Sequence, residues 1–283
     1  MRKVIETIIK IILVILLFIS IFSFGILNIL SNTIFSQEYT LNKLDETNYY
    51  ANIYSQIKSD FRNYIYQSGL DENVIEDIIT QEEVKNDTRK IIVGIYNGLH
   101  EEVDTTKIHD RLNDNINKSL EGKKIDSQTQ DAINTFVNQI ADQYEETITK
   151  TEYESQIYKN FSKLQKIVNK GKKISILSAV ILGILIIITY YRKIFKNLAY
   201  LGTAFLSDGI AYIFLDMYIA KKVDIENLTI LNDAITITLR DYLQSILKQI
   251  FTYGGILLVI GLILIILGNI VHGVKYYSRK SVR

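Results

Sequence analysis

The sequence predicts an all-α, four-span integral membrane protein with a large helical extracytoplasmic domain between spans one and two. Three observations carry that prediction. Long apolar runs interrupt the chain at four places, apolar residues between them recur at i, i+3, i+4 and i+7, and the chain has no proline. About 20 apolar residues in a helix cross the roughly 30 Å of bilayer hydrocarbon. The spacing between the runs marks amphipathic helices, since strands alternate with period two. Without proline, long uninterrupted helices are the default.

Residues 11–30, 174–191, 198–220 and 252–272 are the expected transmembrane helices. The first run follows Arg2, Lys3 and Lys10, but it is longer than a signal-peptide core and no small-x-small cleavage site follows, so it reads as a retained anchor. Orientation follows from basic residues in the short flanks. Arg2, Lys3 and Lys10, then Arg192, Lys193 and Lys196, then Lys275, Arg279, Lys280 and Arg283 all fall on one side of a four-span chain. That side is expected to be cytoplasmic, holding 1–10, 192–197 and 273–283. Residues 31–173 and the amphipathic segment 221–251 are then extracytoplasmic, in a multi-pass plasma-membrane protein with both termini inside. Lys159, Lys163, Lys166, Lys170, Lys172 and Lys173 dissent, lying on the outer side, but long domains translocate largely regardless of charge.

Within 31–173 the elements follow in order. Tyr50, Ile53, Tyr54, Ile57, Phe61, Tyr64 and Ile65 form a helical stripe, stopped at Ser68-Gly69. Asp71 caps a short helix with Val74, Ile75, Ile78 and Ile79 inward. Thr80-Gln81-Glu82-Glu83 is a capping box opening a helix with Val84, Ile91, Ile92, Ile95 and Tyr96 on one face, ended by Asn97-Gly98. Asp104 is expected to cap the next helix, whose Ile108, Leu112, Ile116 and Leu120 recur every four residues. Ser127 opens a longer one carrying Ile133, Phe136, Val137, Ile140, Tyr144 and Ile148. Two amphipathic stretches run directly into spans: Ile157–Val168 into the second, with Gly171 as a loosening point, and Ile235–Ile250 into the fourth, with Asn232 or Asp233 as cap. The second of these is expected to pack on the outer domain and form one body with it.

Composition removes several chemistries. Cysteine is absent, which excludes disulfides, thiolate metal sites and cysteine nucleophiles. The Ile, Asn, Lys and Tyr bias matches low-GC bacterial coding. In the outer domain as far as Glu154, acidic residues outnumber basic ones two to one; from Ser155 to Lys173 the only charges are lysines. Those lysines form a collar suited to anionic lipid headgroups, and the acidic remainder argues against nucleic-acid binding.

His100-Glu101-Glu102-Val103-Asp104 approaches the zincin H-E-x-x-H helix with Asp in place of the second His, but a helix boundary is expected inside it. His100 and His109 have the side chain most used as a general base, with no nucleophile elbow or triad beside them. No cofactor or metal site is expected. Span three is different. Gly202, Gly209 and Asp216 fall seven residues apart, and Gly254, Gly261 and Gly268 repeat the spacing in span four, as two facing small-residue stripes would. Asp208 sits near mid-span, where a carboxylate must face the bundle interior or water. Ser20, Ser23 and Ser178 are its candidate partners at similar depth.

The order of one span, a large outer domain and three further spans resembles FtsX- and MacB-type transport-coupled subunits. That resemblance is one of topology. Their outer domains contain β-structure, and no residue is carried over. The expected function is non-enzymatic: an interaction or signal-transmitting module, an accessory subunit working with another membrane or envelope protein, or with a second copy of itself. The alternative is a small transporter or channel component using Asp208, and the third reading an interfacial enzyme using His100 or His109.

Overall fold

A computed structural model describes residues 2–68, 70–122, 125–149, 154–189, 194–229 and 233–280; the side chains of 2–6, 67, 154–159, 194–196 and 270–280 lie outside the description. Among the described residues the fold is all helical: α1 (Arg2–Asn32), α2 (Gln37–Glu46), α3 (Tyr49–Ser68), a 3₁₀ turn Glu72–Ile75, α4 (Gln81–Asn97), α5 (Thr106–Ser119), α6 (Ser127–Thr149), α7 (Glu154–Ile188), α8 (Ile194–Lys222) and α9 (Asp233–Lys280). Among the described residues, four stretches are long and apolar enough to cross a membrane: Thr7–Asn32, Asn160–Ile188, Asn197–Lys222 and Asp233–Asn269. Span three, the weakest run in the sequence, is an unbroken helix.

Two compact units divide the chain. One comprises 1–35, 165–228 and 240–283; the other, 36–164 and 229–239. In the second unit the expected stripes build the core. Ile53, Ile57, Phe61 and Ile65 of α3 meet Val84 and Ile91 of α4, Ile108, Leu112 and Ile116 of α5, and Phe136, Ile140 and Tyr144 of α6, all buried. Ala234, from the first turn of α9, joins this core, and Thr238 Oγ1 lies 2.8 Å from Thr47 Oγ1. Thr80 and Glu83 make the reciprocal capping box, and Gly98 ends α4 at φ 70°, a left-handed conformation that glycine adopts without strain.

Local details depart from the sequence reading. Helix α2 was not expected; it buries Leu41 and Leu44 against Tyr50. Asp104 does not occupy the cap position: Thr105 does, and Asp104 Oδ1 accepts from the Thr106 amide at 3.0 Å. Ser127 is already helical; Asp126 accepts from the Thr129 amide at 2.8 Å instead. Glycine at 171 does not loosen α7, which passes through it unbroken, since a helix packed around a glycine offsets its propensity loss of about 1 kcal/mol. The segment 221–251 is not one helix. Residues 223–229 are irregular, and α9 then begins at Asp233. Gly69, Arg192, Lys193, Asn232 and Arg283, also named above, lie outside the described residues.

In the first unit, α8 and α9 run antiparallel with their glycines opposed. A Cβ built on Gly202 would sit 2.8 Å from the Gly261 carbonyl oxygen, and one on Gly209 would sit 2.8 Å from that of Gly254. On Gly261 it would lie 2.5 Å from the Leu206 amide nitrogen. No side chain fits there, so backbone contacts backbone, as small residues permit between membrane helices. Gly268 is buried as well, two turns further along α9. Against α1, α7 places Gly171 under Leu27, Asn169 Oδ1 accepts from the Ser31 hydroxyl at 2.9 Å, and Gln165 donates to the Phe35 carbonyl at 3.1 Å.

Gly261→Leu should therefore destabilise the protein in detergent by roughly 1–3 kcal/mol, the usual penalty for overpacking. Gly255→Leu, where an added Cβ meets nothing within 4 Å, should melt like the parent. Thermal melting followed by size exclusion distinguishes them. Equal melting of the two variants would show that α8 and α9 do not meet on the glycine stripe.

Candidate functional site

One face of α8 carries Ala204, Asp208 and Tyr212 at intervals of four residues, and each is 0% exposed. These positions stack one turn above another. They lie about 100° around the helix from the Gly202–Gly209 stripe that meets α9. Tyr212 faces α1: its hydroxyl donates to the Phe22 carbonyl at 2.5 Å, and its ring lies 4.9 Å from the Phe22 ring. Tyr253 of α9 closes the cluster edge-on to Tyr212, with centroids 5.2 Å apart. A side chain at Gly25 of α1 would collide with both tyrosines. Three helices thus converge on an aromatic cluster one turn from Asp208.

The Asp208 carboxyl is the exception within this packing. Both of its oxygens are buried and neither has a hydrogen-bond partner. Ser20, Ser23 and Ser178 do not hydrogen-bond to it, contrary to expectation. A buried carboxyl without a partner is costly and demands a reason. Asp216, two turns on, is only half-buried. Sequence reading found Asp208 but missed Tyr212, Tyr253 and Gly25. The signal for the first was present, a tyrosine four residues from an intramembrane acid.

The collar lysines divide. Lys163, Lys166, Lys170 and Lys173 are exposed and share one face of α7 by spacing, whereas Lys172 turns to α1 and donates to the Ser31 hydroxyl at 3.2 Å. The Lys159 side chain lies outside the description. His100 stands in the loop before α5 and His109 within α5, so the zincin-like segment has no helix to bring its residues onto one face. Among the described residues no group of three or more His, Asp or Glu could hold a metal.

The other unit holds a cleft of about 160 Å³ lined by Glu83, Asp87, Arg111 and Tyr144 among others. Its polar groups answer one another. Arg111 donates to both Glu83 oxygens at 2.9 Å and to the Ile78 carbonyl at 3.1 Å, and the Tyr144 hydroxyl donates to Asp87 at 2.6 Å. Arg111 holds the Glu83 carboxyl below the usual glutamate range, helped by Thr80 and opposed by partial burial. Burial, and then the Asp87 carboxylate, push the Tyr144 phenol up. This is a polar clasp joining α4, α5 and α6 around the capping box.

Compared with protein-family models, with curated proteins and with solved structures, the chain matches none of them. The site is therefore read from its own chemistry.

A carboxyl with a depressed folded pKa stabilises the fold above its unfolded value, about 4.3 for Glu, and loses that contribution as pH falls through the folded value. Glu83→Gln should lower stability at neutral pH by roughly 1–2 kcal/mol. It should also flatten the loss of melting temperature that the parent shows on acidification below about pH 4.3. Circular dichroism melts at several pH values measure both. Parallel curves for parent and variant would remove Glu83 from the acid response.

Proposed function

We propose that this chain is a non-enzymatic bacterial plasma-membrane protein whose acidic helical unit stands outside the membrane as an interaction or signal-transmitting module. It acts as an accessory subunit of a complex with another membrane or cell-envelope protein. The observation that carries the proposal is α9. Its 48 residues make one unbroken helix of about 72 Å, more than twice the hydrocarbon thickness. Near its start, Ala234 is buried in the core of the helical unit and Thr238 meets Thr47. Further along, Gly254 and Gly261 lie against the backbone of α8. A partner that shifts or rotates the start of such a rod moves the contact at its middle, because a helix transmits torque through its backbone hydrogen bonds.

The basic flanks support the orientation, with both termini cytoplasmic. The exposed lysines on α7 support its anchoring at anionic headgroups. A cysteine-free background makes orientation directly measurable. In intact cells an impermeant maleimide should label Ser127→Cys and leave Ser281→Cys unlabelled. The reverse pattern overturns the orientation.

Photo-reactive residues at Tyr66 and Leu99, 90% and 55% exposed, should capture a membrane or envelope protein in native membranes. Adding that protein to the purified chain should change amide exchange at Gly254–Leu258. Gln244→Gly with Lys248→Gly, both at exposed positions, should abolish the change while sparing capture, since each glycine weakens the helix by about 1 kcal/mol. Capture of nothing but lipid, or an exchange response that survives the two glycines, refutes transmission through α9.

A further inference from the structure

Asp208 is the one charged-type side chain in the described residues that is fully buried, and both its oxygens lack a partner. We propose that this site binds a proton, that the structure is its sealed, proton-loaded form, and that the proton is the coupled species in whatever movement the helix bundle makes. This goes beyond the interaction module proposed above and stands without it.

The donor set separates a proton from a metal cation. Hard cations take about six oxygen ligands, calcium six to eight. Here one carboxyl is offered. One turn before it on the same face Ala204 supplies no side-chain oxygen, the adjacent Gly209 has none, and the adjacent Ser207 is exposed while Asp208 is buried. The Tyr212 hydroxyl is committed to the Phe22 carbonyl. No third acid or histidine completes a cluster among the described residues. A proton needs only the one oxygen, and binding it converts the carboxylate to a neutral acid, which is the form a dry, apolar pocket tolerates.

The other titratable groups nearby are few. Residues 11–32 of α1 and 174–188 of α7 have none, α8 contributes Tyr200, Tyr212 and Asp216, and α9 contributes Tyr253; Lys10 of α1 lies over the Tyr200 ring, two turns from Asp208. Among the described residues no cation pairs with Asp208. Losing the proton therefore requires water to reach the carboxylate. Parting α8 from α1, which breaks the Tyr212–Phe22 bond, would give water that access. Tyr212 also packs on α9, against Gly254 and the Tyr253 ring, so the same movement disturbs that contact.

The test is infrared difference spectroscopy on the full-length chain in lipid nanodiscs. At neutral pH ordinary Asp and Glu side chains are ionised, so a carboxylic-acid C=O band marks a carboxyl that keeps its proton. The parent should show one such band, lost at alkaline pH and shifting only slowly in heavy water. It should vanish in Asp208→Asn and move in frequency in Asp208→Glu, which retains a reading if the Asn variant fails to fold. A parent without the band, or a band unchanged in both variants, overturns the assignment. So does loss of the band on adding sodium, potassium or calcium at fixed pH, which makes the ligand a metal cation. An immediate shift in heavy water overturns the sealed state.

Discussion

At Gly209 and Gly261 the backbones of α8 and α9 pass so close that one methyl group would strike the opposite chain. Much else in the membrane-helix unit follows from this contact. Lipid tails are as apolar as leucine, so helices gain nothing by hiding side chains from them, and close van der Waals approach holds them together. Seven-residue spacing on both helices keeps the glycines opposed over two turns. With that face of α8 used against α9, the face about 100° away is left for α1, and it carries Ala204, Asp208 and Tyr212.

The same logic explains the tyrosines. A phenol in hydrocarbon needs a partner for its hydroxyl, and Tyr212 finds the Phe22 carbonyl across the helix pair. The two rings fit because Gly25 leaves α1 bare at that level. Asp208 has no such answer. Both of its oxygens are buried and neither has a hydrogen-bond partner. Packing that satisfies a tyrosine and abandons an aspartate one turn away is consistent with a group whose partner is a proton.

In the other unit charge is handled in the opposite way. Glu83 caps α4, receives both nitrogens of Arg111 and stands near Lys107, 3.9 Å away. Asp45 is likewise bridged by Lys85 and Arg89, and Lys85 in the first place holds its carboxyl low. These pairs are partly exposed, so each contributes modestly. The core of isoleucines and aromatic rings carries the stability, and the pairs set the register between helices.

The sequence by itself determined the helical class, the four apolar helices and most of the buried stripes, because both signals are local. A span is recognised by twenty neighbouring residues, and an amphipathic face by residues three and four apart. The glycine spacing in spans three and four was legible for the same reason, and so was the oddity of an aspartate among apolar neighbours. Helix α2 was not, since its polar face outweighs Leu41 and Leu44. Nor was the irregular turn at 223–229, whereas the continuity of α9 was legible in the helical phase that Ile235–Ile250 carries into span four. Only tertiary structure decided that Tyr212 and Tyr253 meet over Gly25, that Arg111 closes on Glu83, and that no serine reaches Asp208. Those outcomes depend on the rotation of each helix about its own axis. That rotation is set by neighbours far away in the chain, and no local pattern encodes it.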